Sequence, residues 1–332
     1  MNPIIECVPN FSEGKNLAVL EKIASSIRRI EGVKLLHISR GEAANRTVFT
    51  FAGEPEKVIE AAFQAIKTAK ENIDMRLHKG THPRFGATDV CPIVPVNDVS
   101  MEDAKKYALL LAKRVGKELQ YPVFLYEYSA SSPERKKLEY HRSGEYEGLK
   151  EKLKLPQHQP DEGVADFIPQ TGATVIGARD FLVAYNVNLD TKETSIAKKI
   201  ASIVRESGSK ASTEKGLCKG VKAIGWYIKD FDKVQVSMNL TDLKATPMYE
   251  AFEKVKEQAH LLGANVTGSE LIGLVPLKEM VLAGRYFAQK YENQLIENEQ
   301  LCVEKAIKYF GLNDVENFNP KERILEYALN LT

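Results

Sequence analysis

The densest group of reactive side chains lies between Asp74 and Asp89, in the run DMRLHKGTHPRFGATD. It holds two of the six histidines of the chain, His78 and His82, among arginine, lysine and carboxylate side chains. An imidazole titrates near neutral pH, so one of these histidines is a candidate general acid or base. A neighbouring cation such as Arg84 suits an anionic substrate, because a planar guanidinium matches a carboxylate. The segment therefore predicts acid–base chemistry on a negatively charged substrate.

Two alternatives stay open for this segment. The spacing of His78 and His82, four residues apart, is the one that zinc sites use on helices, and it would fit a metal-dependent hydrolase. Gly80 and Pro83 argue against a helix here, and no glutamate follows His78 as the HExxH pattern requires, so we expect no metal. The other alternative is a solvated loop whose charges have no specific role.

Two further positions are candidates for substrate contacts. Arg46 lies where the sequence predicts the start of a strand, although a plain surface arginine would look the same. The segment GVADFIPQTG, residues 163–172, combines two glycines with a phenylalanine and a proline. It fits either a linker between two halves or one wall of a ligand cleft, since ligand sites favour domain interfaces.

The motifs of several large enzyme classes are missing from the sequence. There is no GxSxG nucleophile elbow, no phosphate-cradling Walker loop and no GxGxxG fingerprint. Serine hydrolases, P-loop enzymes and classical dinucleotide-binding enzymes are therefore excluded.

Composition narrows the class of protein further. The 332 residues are 43% hydrophobic and 27% charged, which is ordinary for a globular chain of two domains or two packed halves. The net charge is +1, from 46 basic and 45 acidic residues, so neither a nucleic acid nor a membrane surface is expected as a partner. Four widely spaced cysteines, no signal-peptide pattern and no long apolar window favour a reducing cytoplasm.

The elements that would position these residues alternate between strand and helix. Both halves suggest the order β-α-β-β-α-β, so we expect an α/β (α+β) fold of two ferredoxin-like subdomains, 1–178 and 179–332. Residues 89–96 are predicted to form an edge strand or an extended segment, because Pro92 and Pro95 cannot donate to a ladder. Residues 129–167 are predicted to be a surface excursion with one short helix, and 173–189 a single strand or a hairpin.

The sequence resembles the glutamate formimidoyltransferase family, the folate-dependent enzymes of histidine degradation that also form the first part of formimidoyltransferase-cyclodeaminase. Motifs similar to those of the family occur in the same order over nearly the whole chain. They are ECVPNFSEGKN (6–16), NRTVFTFAGEPE (45–56), HKGTHPRFGATDVCP (78–92), GEYEGLKEKL (144–153), GATVIGARDFLVAYNVNL (172–189), IGWY (224–227) and GSELIGLVPLK (268–278).

The resemblance implies transfer of a formimino group between N-formimino-L-glutamate and tetrahydrofolate, giving 5-formiminotetrahydrofolate and L-glutamate. It implies that His82 is the catalytic histidine, and that the two subdomains surround a central substrate cleft or tunnel in a homodimer. It also implies a stand-alone transferase, because the cyclodeaminase part is absent. The folate-binding segment of the family falls on Gly163, Val164, Ala165, Asp166, Phe167, Ile168, Pro169, Gln170, Thr171 and Gly172.

One position departs from the family pattern. Ser39 stands where the family carries an aspartate, so either Glu42 or Asp89 partners His82, or the histidine works without a nearby acid. The departure leaves a formyl donor open beside the formimino donor. A metal-dependent hydrolase and a folate-binding module without turnover stay as alternatives of other classes.

The chemistry of the transfer assigns the remaining roles. A single histidine between the two nitrogens can remove a proton from the attacking one and return it to the departing one. We expect Arg46 and Arg84 to hold the glutamate carboxylates, with His78 and Asp89 as further contacts. The apolar side chains of residues 167–169 are expected to face the folate rings.

Overall fold

The computed structural model describes residues 3–42, 44–80, 82–209, 214–229 and 231–331. The chain divides into a first compact unit that ends at Asp180 and a second that begins at Phe181. Each unit combines one β-sheet with α-helices, which confirms the predicted mixed α/β class. None of the helices formed by the described residues is long and apolar enough to cross a bilayer.

The first unit is built from short strands and amphipathic helices. Its strands are β1 (Ile4–Cys7), β2 (Asn10–Phe11), β3 (Val33–Gly41), β4 (Arg46–Gly53), β5 (Thr88–Asn97), β6 (Val123–Leu125) and β7 (Thr174–Ala178). Its helices are α1 (Leu17–Arg28), α2 (Pro55–Asn72), α3 (Met101–Leu119), α4 (Leu138–Arg142) and α5 (Glu145–Lys152). The first three helices turn one apolar face inward, as the 3.6-residue period of the sequence predicts.

Strand β5 lies inside the sheet, so the prediction of an edge strand was wrong. It pairs with β1 and β2 on one side and with β7 on the other, and β7 continues to β6. Pro92 lies opposite the break between β1 and β2, where Val8 donates to its carbonyl at 3.2 Å. Pro95 lies beyond Ile93, the last residue of β5 that pairs with β7. Neither proline therefore removes a donor from a continuous stretch of ladder.

The excursion between β6 and β7 is more ordered than the sequence indicates. It contains the α-helices α4 and α5, where one short helix was predicted. Lys152, in the last turn of α5, donates its ammonium to the carbonyls of Tyr140, His141 and Ser143 at 2.7–3.1 Å. Since these carbonyls lie at the end of α4, the lysine satisfies acceptors that a five-residue helix leaves unpaired.

The core of the first unit lies between its sheet and α1–α3. Each large aliphatic or aromatic side chain buried there stabilises the fold by roughly 1.5–3 kcal/mol. Its fully buried members include Ile5, Ile23, Ile27, Phe49, Phe51 and Ile66. In β4 the helix-facing Phe49 and Phe51 alternate with Arg46 and Val48, so Arg46 projects from the opposite face of the sheet.

The second unit has its own sheet and its own core. Its strands are β8 (Val183–Leu189), β9 (Val221–Ile228), β10 (Lys233–Leu240) and β11 (Val266–Ile272), paired antiparallel in the order β11-β8-β10-β9. Its helices are α6 (Thr194–Val204), α7 (Met248–Leu261), α8 (Leu277–Phe287), α9 (Glu299–Phe310), α10 (Pro320–Arg323) and α11 (Leu325–Leu329). The sequence from Pro276 to Leu331 is predicted to be helical, and helices α8–α11 confirm this prediction.

The apolar stretch 173–189 is neither one strand nor a hairpin. Its first part is β7, in the first sheet, and its second part is β8, in the second sheet. Two charged residues, Arg179 and Asp180, follow β7 and precede β8, and the first unit ends at Asp180.

Candidate active site

The candidate site is built on the loop that leads from α2 to β5. Backbone and side-chain hydrogen bonds hold this loop in place: Met75 donates to Gln170 at 2.8 Å, and the Ser12 hydroxyl donates to the carbonyl of Gly86 at 2.8 Å. A Cβ at Gly86 would collide with the carbonyl oxygen of Ala173, so only glycine fits where the loop enters β5. The loop is therefore fixed at both ends.

His82 lies in this loop with both ring nitrogens engaged. Its Nδ1 lies 2.6 Å from the carbonyl of Pro83, which can only accept, so Nδ1 carries the proton. Its Nε2 then has the lone pair, and it meets Nη1 of the Arg46 guanidinium. Burial, and then the positive charges of Arg46 and Arg142, lower the pKa of His82 to about 4. The imidazole is therefore neutral at pH 7, with Nε2 as its basic atom.

Arg46, the first residue of β4, is a half-buried cation without a carboxylate partner among the described residues. Burial and the like charge of Arg142 lower the pKa of its guanidinium to about 10. The negative charge of Asp89 acts in the opposite direction and raises this pKa. An unpaired charge that has lost part of its hydration is costly, which favours binding of an anion at this position.

Asp89 and Arg142 form a buried ion pair beside these two residues. The Asp89 carboxylate accepts from Nη2 and, at 3.4 Å, from Nε of Arg142, and it also accepts from the backbone N–H of Phe85 at 2.9 Å. The pair ties the His82 loop to α4. Sequence reasoning missed Arg142, because it lies 53 residues from Asp89 in a segment read as a surface excursion.

His78 and Arg84 are brought together, but by structural bonds. His78 is buried; its Nε2 donates to the carbonyl of Asn45 at 2.7 Å, and its Nδ1 accepts from Nε of Arg84 at 3.3 Å. Burial lowers the pKa of His78, so this ring also stays neutral. Arg84 is further bound by Glu145 at 3.1 Å and by Glu147 at 2.6 Å.

The geometry gives the zinc alternative no support. Bonds to Asn45 and Arg84 occupy both ring nitrogens of His78. Across the described ranges, no three His, Cys, Asp or Glu side chains are grouped so that they could hold a metal ion.

The acids considered as partners of His82 do not hydrogen-bond to it in the described structure. Ser39 lies in β3 opposite Val48, and Glu42 is an exposed residue that contacts Arg40 at 3.4 Å. Asp89 acts on the histidine through its charge and through the loop that it anchors. His82 therefore relies on a backbone carbonyl to orient its ring.

The predicted folate segment, residues 163–172, ends beside the His82 loop. The carbonyl of Thr171 accepts from Ala87 N–H at 2.8 Å, and Gly172 forms an isolated bridge with Gly86. Phe167 packs against the ring of Tyr146, with ring centroids 5.6 Å apart. Other members of the segment are exposed to solvent: Gly163, Ala165, Asp166, Pro169 and Gln170. The structure thus brings an exposed stretch of the segment close to the loop that carries His82.

The site thus combines, on an α/β scaffold, a neutral imidazole and a guanidinium that has no carboxylate partner among the described residues. Residues 4–179 match the family model of the formiminotransferase domain, N-terminal subdomain, and residues 184–330 match that of the formiminotransferase domain. The chain belongs to the formiminotransferase family.

Named relatives are similar over most of the chain. It is 45% identical over 330 residues to the formimidoyltransferase-cyclodeaminase of Dictyostelium discoideum, covering 99% of this chain but 61% of that protein. It is 45% identical over 305 residues to the glutamate formimidoyltransferase of Streptococcus pyogenes serotype M1, covering 91% of this chain and 100% of the relative. The glutamate formimidoyltransferase of Thermoplasma acidophilum is 43% identical, with 99% of each chain covered. The chain thus spans about three fifths of the cyclodeaminase relative and the whole length of the two transferases.

Proposed function

We propose that this protein is a glutamate formimidoyltransferase, which transfers the formimino group of N-formimino-L-glutamate to N5 of tetrahydrofolate in histidine degradation. Its products are 5-formiminotetrahydrofolate and L-glutamate. Two full-length relatives carry the name of this activity. The observation that carries the proposal is the neutral imidazole of His82, fixed through Nδ1 and presenting Nε2 beside the guanidinium of Arg46.

His82 acts as the general acid and base of this transfer. N5 of tetrahydrofolate attacks the formimino carbon, and the proton that N5 loses passes to Nε2 of His82. The tetrahedral intermediate then collapses, the bond from carbon to the glutamate nitrogen breaks, and the imidazolium returns the proton to that nitrogen. No covalent enzyme intermediate forms, and holding both substrates in one geometry supplies much of the acceleration.

The guanidinium of Arg46, at the start of β4, holds the glutamate part of the donor. Arg46 offers its guanidinium to a carboxylate, since no described acid occupies it. Arg84 was expected to do the same, but a substrate carboxylate would have to displace Glu145 or Glu147 from it. We therefore assign the principal carboxylate contact to Arg46, with His78 and Asp89 supporting the loop rather than touching the substrate.

Residues 163–172 form the folate side of the site. Phe167, Ile168 and Pro169 offer an apolar surface to the pterin and aminobenzoate rings, which stack on such walls. The support is their position: the segment is bonded directly to the loop of His82 through Thr171 and Gly172. Tetrahydrofolate is a co-substrate in this scheme.

The cellular setting follows from the same proposal. We place the enzyme in the cytoplasm as a homodimer. The four cysteines are free thiols that are buried in the structure, which suits a reducing compartment.

The test is a transfer assay with the purified protein, formiminoglutamate and tetrahydrofolate, in which both 5-formiminotetrahydrofolate and glutamate are measured. We expect the two products in equal amounts, none without tetrahydrofolate, and no effect of a metal chelator. Glutamate release without tetrahydrofolate and its loss with chelator would instead establish a hydrolase. Formylglutamate as a parallel donor decides between formimino and formyl transfer.

A further inference from the structure

The hydrogen bond between Arg46 and His82 occupies the basic nitrogen of the imidazole. A guanidinium stays protonated and can only donate, so Nη1 of Arg46 donates to the lone pair of His82 Nε2. The other ring nitrogen is bound to the carbonyl of Pro83 at 2.6 Å. While both bonds persist, the imidazole has no free lone pair with which to accept a proton from a substrate.

The same guanidinium is where an anion would bind. Arg46 is half-buried and has no ion pair with a described carboxylate, whereas its neighbour Arg142 is bound by Asp89. A carboxylate forms a charge-assisted, bidentate bond with a guanidinium, which is stronger than a bond to a neutral imidazole. An incoming dicarboxylate therefore displaces Nε2 of His82 from the guanidinium of Arg46.

We propose that Arg46 is a positioning residue that keeps Nε2 of His82 occupied in the empty site and releases it when the substrate carboxylate takes the guanidinium. Binding of the donor thereby activates the base. The inference rests on the proposed function, since it takes the glutamate part of the donor as the anion that Arg46 binds.

The charge of a bound carboxylate also favours activation of His82. The charged groups around His82 are Arg46 on β4, Arg142 on α4 and Asp89 on β5. A bound carboxylate cancels the charge of Arg46 and brings a negative charge closer, so the pKa of His82 rises from about 4 toward neutrality. A general acid and base works best when its pKa lies near the working pH. The histidine thus becomes effective only in the donor complex.

The test follows the titration of the His82 ring by NMR, with and without saturating L-glutamate and without folate. In the wild-type protein, glutamate should raise the midpoint by more than about one pH unit. In Arg46→Gln the midpoint should be higher without ligand, because a cation is lost, and glutamate should move it little. Arg46→Lys keeps the positive charge but loses the planar guanidinium, so glutamate should shift the His82 midpoint less than in the wild type. This variant replaces Arg46→Gln if the glutamine variant does not fold. Arg76→Gln, in the same loop but exposed and bound to Asp74, should behave like the wild type.

Two results would overturn the inference. One is a wild-type midpoint that stays unchanged while calorimetry shows glutamate bound. The other is an equal response in the wild type and in Arg46→Gln. The inference can fail by itself, if transfer is active but glutamate does not move the titration. The proposed function can also fail by itself, if glutamate moves the titration but formiminoglutamate and tetrahydrofolate give no product.

Discussion

Arg84 binds Glu147 through two parallel hydrogen bonds: Nη1 donates to Oε2 at 2.8 Å, and Nη2 donates to Oε1 at 2.6 Å. The arginine side chain is 11% exposed and the glutamate 63%. Its Nε meanwhile donates to His78. All three guanidinium nitrogens are therefore used inside the protein, which connects the loop of His82 to α5.

Replacing Arg84 should therefore affect stability more than donor binding. We expect Arg84→Ala to lower the free energy of unfolding by about 1–2 kcal/mol, since a bidentate pair and a bond to a buried histidine are lost. The Michaelis constant for formiminoglutamate should rise less in Arg84→Ala than in Arg46→Ala. Denaturant titration and steady-state kinetics measure the two effects. A larger rise in Arg84→Ala would restore the arginine to the carboxylate site.

The two histidines of the loop should separate in their effects. His82→Ala should lower turnover by about a hundredfold to ten-thousandfold and leave the fold intact, because a general acid and base is lost from a partly exposed position. His78→Ala should lower stability by about 1–3 kcal/mol, because the buried carbonyl of Asn45 loses its donor. Turnover of the folded His78→Ala protein should fall less.

His260→Ala, on the exposed side of α7, is the matched control and should change neither turnover nor stability. Near wild-type turnover in His82→Ala would remove the histidine from the chemical step. Equal, complete loss in both loop variants together with bound zinc would favour the hydrolase.

The buried His141 should make the protein sensitive to acid. Burial lowers the pKa of His141 to about 4, although its Nε2 donates to the carbonyl of Arg135. Between the ordinary value near 6.5 and the folded value, the unfolded chain binds a proton that the folded protein does not, so stability falls as pH falls through this window. The drop amounts to about 3 kcal/mol for a group this deeply buried, and it levels off below about pH 4.

Denaturant titrations from pH 7.5 to 4 measure this dependence. His141→Gln should be less stable at pH 7.5, because the contact with the ring of Phe124 is lost, but its stability should change less with pH. His260→Gln should keep the wild-type slope. An unchanged slope in His141→Gln would assign the acid sensitivity to other groups, among which His82 acts with the same sign.

The sequence predicts local features well, because local features follow from spacing along the chain. The spacing of Leu17, Leu20, Ile23 and Ile27 predicts an amphipathic helix over 16–29. Helix α1 forms over Leu17–Arg28, because this apolar period and the Asn16 cap are both local. The loop sequence singles out two candidate histidines, His78 and His82, and the choice of His82 between them rests on the resemblance to the family. Arg142 was missed, because only the tertiary fold brings it to Asp89. Strand β5 was misplaced at an edge for the same reason: whether Pro92 disturbs a ladder depends on where its partner strands break.

Folate binding is best tested at Phe167 rather than at the glycine that ends its segment. Gly172 has φ +67°, and a Cβ there would lie 2.5 Å from the carbonyl oxygen of Phe85. From the sequence alone, Gly172→Val should affect folate binding only, because Gly172 ends the predicted folate segment. The structure instead predicts strain in the loop of His82, so both ligands should bind less well. Such a variant does not separate the folate site from the fold.

Phe167→Ala removes a half-buried aromatic side chain that packs against Tyr146 in the middle of the segment. The dissociation constant for tetrahydrofolate should rise about tenfold, which corresponds to about 1.4 kcal/mol of lost ring contact. The dissociation constant for formiminoglutamate should stay within about twofold, since Arg46 and His82 are untouched. Tyr128→Ala, which removes a 41% exposed aromatic ring elsewhere in the unit, is the control. Calorimetry with each ligand on variants shown to be folded by circular dichroism decides the matter: unchanged folate affinity in Phe167→Ala would move the pterin away from this segment.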